Sequence, residues 1–600
     1  MDNPKEWLGH QLQTLQEDEK RWLKTRRWLG MLRLASLALA FLLLWYFWRQ
    51  GVLPASAAFA MGIALFIYFV NRDLKNAARI RNTATLIRIN QQELDILRHH
   101  YSFLPEGKEW QPEAHAYAND LDIFGHASLF QYCNRCQSEQ GMRLFVSWLL
   151  EPAPHEMILS RQAAVKELAT LPQWRQQLQA HGIREKVTVA AEQSIHNWLQ
   201  QENRFQHPSW KWLRVVMPAI TLLSLGLHIA GIMSAGLFYP VLFLAFLVSL
   251  AISKRVMPVY QQLNRMAAQA ATLAHSMQHI ENEKFNSPLL LRVQGGFMDQ
   301  KEKASGKVKR LITILDRMDY RLNPLVWIPL NTLLLWDLQQ ALELEKWKQQ
   351  SRSGCLAWFA SLATFESLAS LANLAFNHPG WCFPILSEEP GTFHATGLGH
   401  PLIAPEKRVV SEFESRGLPR ISLITGSNMA GKSTFLRTVG VNIILAMAGG
   451  PVCAATLTVS NLRVISSMRV SDNLEESTST FYAELKKLKY VIEAVNRKEP
   501  VILLLDEILR GTNSTDRHTG STALIRQLIS QDAMALVATH DLQLAQLEND
   551  YPASIRNYHF DVQVDKEELF FDYRLKDGVC RSMNASLLMK KIGIMLEDQN

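Results

Sequence analysis

Cysteine is scarce in this chain, six in 600 residues, and a disulfide-stapled scaffold is therefore excluded. Glycine (29) and proline (23) are ordinary in number, which excludes collagen-like and low-complexity chains. Neither sign of charge dominates: 63 Lys+Arg against 56 Asp+Glu leave a formal +7. The apolar fraction of 48% excludes an unfolded polar chain, and the length predicts roughly three to five domains. The lone C-x-x-C, Cys133 to Cys136, has no second pair nearby and reads as packed thiols rather than a metal site. Cys355, Cys382, Cys453 and Cys580 are scattered, as core packing in a reducing compartment would have them.

The mean hydropathy of −0.06 is a sum of very apolar and very charged stretches. Leu34 to Trp48 is almost wholly apolar, Arg33 interrupts just before it, and Val52 to Val70 carries no charge. Val215 to Ser253 has no charged residue at all, and its Gly231–Gly236 stretch reads as a tight turn. About 20 helical residues cross a bilayer core of roughly 30 Å, so each region predicts two crossings, four transmembrane helices in two hairpins. Lys20, Arg21, Lys24, Arg26 and Arg27 precede the first hairpin, and Arg72, Lys75, Arg79 and Arg81 follow it. Lys211 and Arg214, then Lys254 and Arg255, flank the second. Positive flanks stay on the cytoplasmic side, which predicts a multi-pass protein of the inner (cytoplasmic) membrane with both termini and all large segments in the cytoplasm. Trp45, Tyr46, Trp48, Trp210 and Trp212 sit where interfacial aromatics belong. The late first apolar run, with no clean A-x-A site after it, argues against a cleaved signal peptide. His228 reads as a hydrogen-bonded packing residue of the second hairpin, and the short run Leu325–Trp336, with its Asn331, as core.

The last 200 residues change character. Ile421–Thr425 is a β-rich run that delivers Gly426-Ser427-Asn428-Met429-Ala430-Gly431-Lys432-Ser433-Thr434, the pattern G-x-x-x-x-G-K-[ST], ahead of a helix-like stretch from Phe435. Strand, glycine-bearing loop and helix are the context this phosphate-binding motif requires. Loop and helix-start N–H groups bind phosphate oxygens, Lys432 reaches the β/γ-phosphates, and Ser433 can ligate Mg²⁺. Val501–Leu505 is a continuous apolar run, as a buried parallel strand requires, and it ends in Asp506-Glu507. Asp506 suits the Mg²⁺ shell, and Glu507 suits a base that polarises the attacking water. Met534–Thr539 is a third such run, ending in His540, which can contact the γ-phosphate. Ser477-Thr478-Ser479-Thr480-Phe481 opens a helical period of apolar residues. Its hydroxyls read either as phosphate contacts or as an N-cap cluster.

These motifs resemble those of the MutS family of mismatch-repair ATPases, relatives of the ABC-type ATPases. Residues 424–434 are similar to the family's TGPNMGGKST, with Asn428-Met429 the telling pair. Asp506–Thr512 looks like DEIGRGT, Ser479-Thr480-Phe481 fits STF, and Ala538-Thr539-His540 fits ATH. Upstream, Asp122–Gly125, Gly141–Leu144, Trp148–Pro152, Arg161–Val165 and Ala357–Phe376 resemble the family's helical core, and Gly399–Leu402 its junction with the ATPase. The resemblance implies ATP and Mg²⁺ as cofactors and a homodimer with composite sites. In it Lys432, Ser433, Asp506, Glu507 and His540 act within one subunit and Ser479 acts in trans. It also implies duplex DNA as a partner, gripped or released as ATP closes the dimer.

The departures are specific. No F-x-E wedge occurs, a charged helix and a hairpin stand where the mismatch-reading domain would be, and a second hairpin interrupts the core. Ser477 and Ala430 replace signature glycines, and the C-terminal dimer contact after Lys590 looks truncated. The expected fold class is mixed: a C-terminal α/β P-loop ATPase of ABC/MutS type, an all-α lever-like core and four transmembrane helices. The expected layout is a charged segment 1–30, hairpin 31–71, helical linker 72–117, core 118–209, hairpin 210–255, second core part with a clamp-like segment 256–400, and ATPase domain 401–600. The basic run Lys301, Lys303, Lys307, Lys309 and Arg310 reads either as a DNA-phosphate contact or as a solvated, lipid-facing patch. The contrasting function is a membrane-embedded ATP-driven scaffold or transport-linked machine that does not bind DNA.

Overall fold

The structure, a computed structural model, describes residues 3–205, 207–298, 302–352, 354–427, 430–468, 480–565 and 568–580. The architecture is mixed α/β, with helices alone up to Asn377 and all the described strands after it. The chain forms two compact units. One comprises Met1–Cys133, Trp148–Gln162 and Leu371–Asn600, and the other Asn134–Ser147 and Ala163–Ser370.

The first unit begins with two long antiparallel helices, Pro4–Phe47 and Val52–Leu97. The charged N-terminal stretch and the apolar run after it therefore share one unbroken helix. Gly51 makes the reversal at φ 125°, a backbone state that costs glycine nothing. The helices approach closely at Gly62, where an added Cβ would lie 2.5 Å from the Ala40 Cβ. The interrupting Arg33 has a partner: it meets the buried Asp73 at 2.9 Å across the hairpin.

The same unit holds two sheets. Four strands, β1 (Ile385–Ser387), β2 (Phe393–Leu398), β3 (Ser411–Ser415) and β5 (Thr456–Ser460), are ordered β1-β5-β2-β3. The other sheet contains β4 (Arg420–Thr425), β6 (Arg463–Ser467), β7 (Val501–Asp506), β8 (Met534–Thr539), β9 (Ile555–Asp565) and β10 (Glu568–Asp577), ordered β10-β9-β4-β8-β7-β6. All its pairings are parallel except β9 with β10. β4, β7 and β8 are buried on both faces, β4 from Ile421 onward, which is why they read as unbroken apolar runs. The register aligns Thr425 with Thr539 and Asp506 with Ala538. Three neighbouring strands thus end at one level, and their terminal residues meet there.

The regular elements of the second unit's described residues are helices, with an isolated β-bridge pairing Met298 and Lys303. Its hairpin pairs Pro208–Ile229 with Ala235–Asn264. His228 donates from Nδ1 to the Met233 carbonyl at 3.0 Å and stacks on Phe238 at 4.4 Å, which ties down the turn. Five described helices are long and apolar enough to cross a bilayer: the four of the two hairpins, whose apolar windows are mostly exposed, and Cys355–Asn377, whose window is 78% buried. The last is a core helix. The run Leu325–Trp336, expected to be core, is largely not. The Pro324–Leu334 helix packs one side on the hairpin and leaves Leu325, Val326 and Ile328 exposed, because no described element covers its outer face. In the basic run, Lys303, Lys309 and Arg310 bond to Asn282, Gln278 and Glu343 of neighbouring helices, and Lys307 is buried. Lys301 lies outside the described residues. These side chains are engaged within the unit rather than ranked on a free face.

Candidate nucleotide-binding site

The site forms where β4 gives way to the helix Lys432–Ala448. Gly426 (φ 146°) and Gly431 (φ 104°) are the positions whose backbone needs a glycine; a Cβ at Gly426 would also meet the Phe560 carbonyl at 3.0 Å. Ala430 is buried and absorbs the replaced loop glycine. Asn428 and Met429 lie outside the described residues.

Lys432 donates from Nζ to the carbonyls of Gly426 (2.6 Å) and Ser427 (2.8 Å), folded back into the loop. Burial draws its pKa down, while the nearby carboxylates of Glu507 and Asp506 oppose that shift. Ser433 Oγ donates to Asp506 Oδ2 at 2.5 Å, although 73 residues separate them in sequence. Burial pushes the Asp506 carboxyl upward, against the Ser433 hydrogen bond and the charge of Arg510. Two hard oxygens side by side at the end of a phosphate-binding loop are a fitting donor set for Mg²⁺, which takes few protein ligands and fills the rest with phosphate and water.

Glu507 follows at φ 49°, its N–H bonded to the Ala538 carbonyl at 2.9 Å. This left-handed kink turns its side chain off the strand line. Glu507 Oε1 stands 3.6 Å from His540 Nδ1, and Oε2 stands 3.1 Å from Arg510 Nε. The next kink, Leu509 at φ 60°, is held by its N–H donating to the buried Glu484 carboxylate. Ser479 and Ser477 fall outside the described residues. Phe481, just beyond, packs so closely on Gly511 that a Cβ there would lie 2.7 Å from its own.

A cavity of about 460 Å³ opens beside Lys432, Ser433 and Thr434, lined further by His400, Lys407 and Tyr573. Burial, then the charge of Arg437, pushes His400 down to about 4, so its imidazole is neutral. Asn442 pins this wall by donating to the Gly399 carbonyl (3.0 Å) and accepting from the Cys453 N–H (2.7 Å). Sequence reasoning missed Lys407, Tyr573, Arg510 in its role against Glu507, and the His518–Asp541 pair at 2.7 Å. Arg510 was legible as a motif position. The others carry no local signal: Lys407 and Tyr573 come in from far along the chain, and Asp541, although next to His540, meets His518 only through the fold.

The strand ends, the glycine-bearing loop and the Ser433–Asp506 pair come together at one edge of an α/β domain. Residues 422–592 match the family profile of MutS domain V. The DNA mismatch repair protein MutS of Thermotoga neapolitana is 33% identical over 232 residues, 37% of this chain and 28% of that protein. The protein of the same name from Treponema pallidum is 30% identical over 247 residues, 39% of this chain and 27% of its own length. Human MutS protein homolog 4 is 32% identical over 201 residues, 31% and 21% of the two chains. Over its C-terminal part the chain is similar to MutS-family proteins, and the alignments span about a quarter of the length of the relatives it matches.

Proposed function

We propose that the protein is a membrane-anchored MutS-type ATPase that binds and hydrolyses MgATP as a homodimer and couples this cycle to duplex DNA. The observation that carries the ATPase reading is the Ser433–Asp506 pair beneath the Gly426–Lys432 loop, with Glu507 on the adjacent residue. In this reading Lys432 leaves the loop carbonyls for the β/γ-phosphates, and Ser433 and Asp506 hold Mg²⁺, which neutralises the developing phosphate charge. Glu507 orients the attacking water, His540 stands near the γ-phosphate, and Ser479 serves the partner's site.

The two exposed apolar hairpins and their basic flanks support the anchoring; in this reading the positive flanks and the ATPase domain lie on the cytoplasmic side of the cell membrane. The DNA coupling rests on the MutS relationship. The engaged side chains of the 303–310 run favour the second reading, an ATP-driven membrane machine without DNA.

The test uses detergent-solubilised full-length protein. Lys432→Ala should abolish ATP binding, and Glu507→Gln should bind ATP but turn it over at least a hundredfold more slowly. Full turnover in either variant overturns the site. Duplex binding titrated against salt, with and without ATP and with matched and mismatched duplexes, separates the two readings: no binding at low salt removes DNA.

A further inference from the structure

The Pro324–Leu334 helix is an apolar, largely exposed element outside the two hairpins. Leu322 and Leu325 are 72% and 86% exposed, and Val326 and Ile328 stand out beside them. Exposed apolar surface of this kind needs an occupant. At 11 residues the helix is about 16 Å long, roughly half of a bilayer core, so it cannot cross.

Its position is set by three contacts with the hairpin. Arg321 donates to Ser253 Oγ at 2.9 Å, next to Lys254 and Arg255, where the charge-free stretch of one hairpin helix ends. Gln339, just beyond the short helix, donates to the Arg214 carbonyl at 3.0 Å, at the charged end of the other. Between them, Thr221 Oγ1 donates to the Leu333 carbonyl at 2.7 Å. Thr221 lies seven residues past Arg214, about 10 Å further along the hairpin. The segment therefore occupies the zone from the charged boundary to about one-third of the way in.

The inner side is tied down by polar contacts. Asp337, wholly buried, accepts from Arg321 Nη2 (2.8 Å) and Trp327 Nε1 (3.3 Å) and lies under the middle of the helix. Tyr320 and Trp336 stack at 6.0 Å at its edge, a pairing suited to the headgroup level. The two hairpin helices on which it packs carry exposed apolar side chains of their own, among them Leu222, Leu223, Phe243 and Leu244.

We infer that the Pro324–Leu334 helix is a third membrane-contacting element, lying shallowly in the cytoplasmic leaflet with Leu322, Leu325, Val326 and Ile328 among the lipid acyl chains. This rests on the reading of the hairpins as membrane-spanning. The Arg321–Asp337 pair fastens the immersed segment to the helices that return to the cytoplasm.

The test is a depth measurement on full-length protein in lipid nanodiscs, in a Cys382→Ser background. A fluorophore is placed on Leu325→Cys, on Phe243→Cys inside the hairpin, or on Thr313→Cys on an exposed face of the Ala304–Met318 helix. Lipids brominated near the headgroup should quench the Leu325 probe at least twofold, and lipids brominated near the chain ends should quench it less. The deep lipids should quench Phe243, and neither should quench Thr313. A Leu325 probe that behaves like Thr313 while Phe243 is quenched overturns the inference and leaves the anchor standing. A Leu325 probe quenched most by the deep lipids overturns the shallow placement. An unquenched Phe243 probe overturns the anchor itself, and the inference with it.

Discussion

Glu366 offers a stability test whose sign is set by burial. It lies in the Cys355–Asn377 helix. Its carboxylate accepts from the Ser138 N–H at 3.1 Å and the Ser138 hydroxyl at 2.5 Å, and Gly141 leaves just enough room, since a Cβ there would lie 2.3 Å from Oε2. Burial pushes this carboxyl from its ordinary 4.5 up to about 7, against the Ser138 hydrogen bonds. The folded state therefore holds the proton more tightly than the unfolded state. The stabilisation is complete below about 4.5 and is lost as pH rises through about 7. The gap between the two values corresponds to roughly 3 kcal/mol. Other groups titrate in the same window with the opposite sign: burial holds His181 down to about 3 and lowers His275 and His279, so their contribution falls as pH drops through about 6.5. Comparison with Glu366→Gln isolates the carboxyl, because the amide can still accept from Ser138 and has no charge to bury. Urea unfolding of both proteins in one detergent, followed by tryptophan fluorescence from pH 5 to 8, should show the wild type losing about 3 kcal/mol relative to the variant. Parallel profiles would refute the assignment.

Three further perturbations follow from close contacts. Asp337→Asn leaves the buried Arg321 guanidinium without its counter-charge and should cost about 3–5 kcal/mol in the same unfolding assay; the double variant Arg321→Met/Asp337→Leu should recover most of it, and no recovery would show that charge pairing is not the issue. Gly440→Val drives a Cβ to within 2.7–2.8 Å of the Leu121 and Leu504 side chains. It should lower the melting temperature through an overpacking cost of about 1–3 kcal/mol, and an unchanged melt would contradict the packing. Gly62→Leu should loosen the first hairpin against Ala40, read as faster protease cleavage between its helices, while Gly30→Leu, at a site with open space around it, should leave cleavage unchanged.

Much of this protein is written in local runs. The G-x-x-x-x-G-K-S loop, the apolar strands ending in Asp506 and Thr539, and the two charge-free hairpins each need only short-range periodicity to be read. They appear in the structure as a strand–loop–helix site, fully buried parallel strands and exposed helical hairpins. His228 also packs as its setting suggested. The short run Leu325–Trp336 departs from the core placement its sequence suggests, because apolarity and length cannot tell a core helix from one with an uncovered face.

What the sequence determined by itself is therefore the identity of the pieces: which segments are apolar all round, which loop can cradle phosphate, and which carboxylates follow which strands. Tertiary structure alone decided what meets. Strand order and register bring Ser433 to Asp506 across 73 residues and set His540 beside Glu507. Antiparallel helices hand Arg33 its Asp73, and a closed loop seats Arg321 on a fully buried Asp337. The reason is that side-chain partnerships across long separations depend on how whole faces pack, and no short window of sequence carries that information.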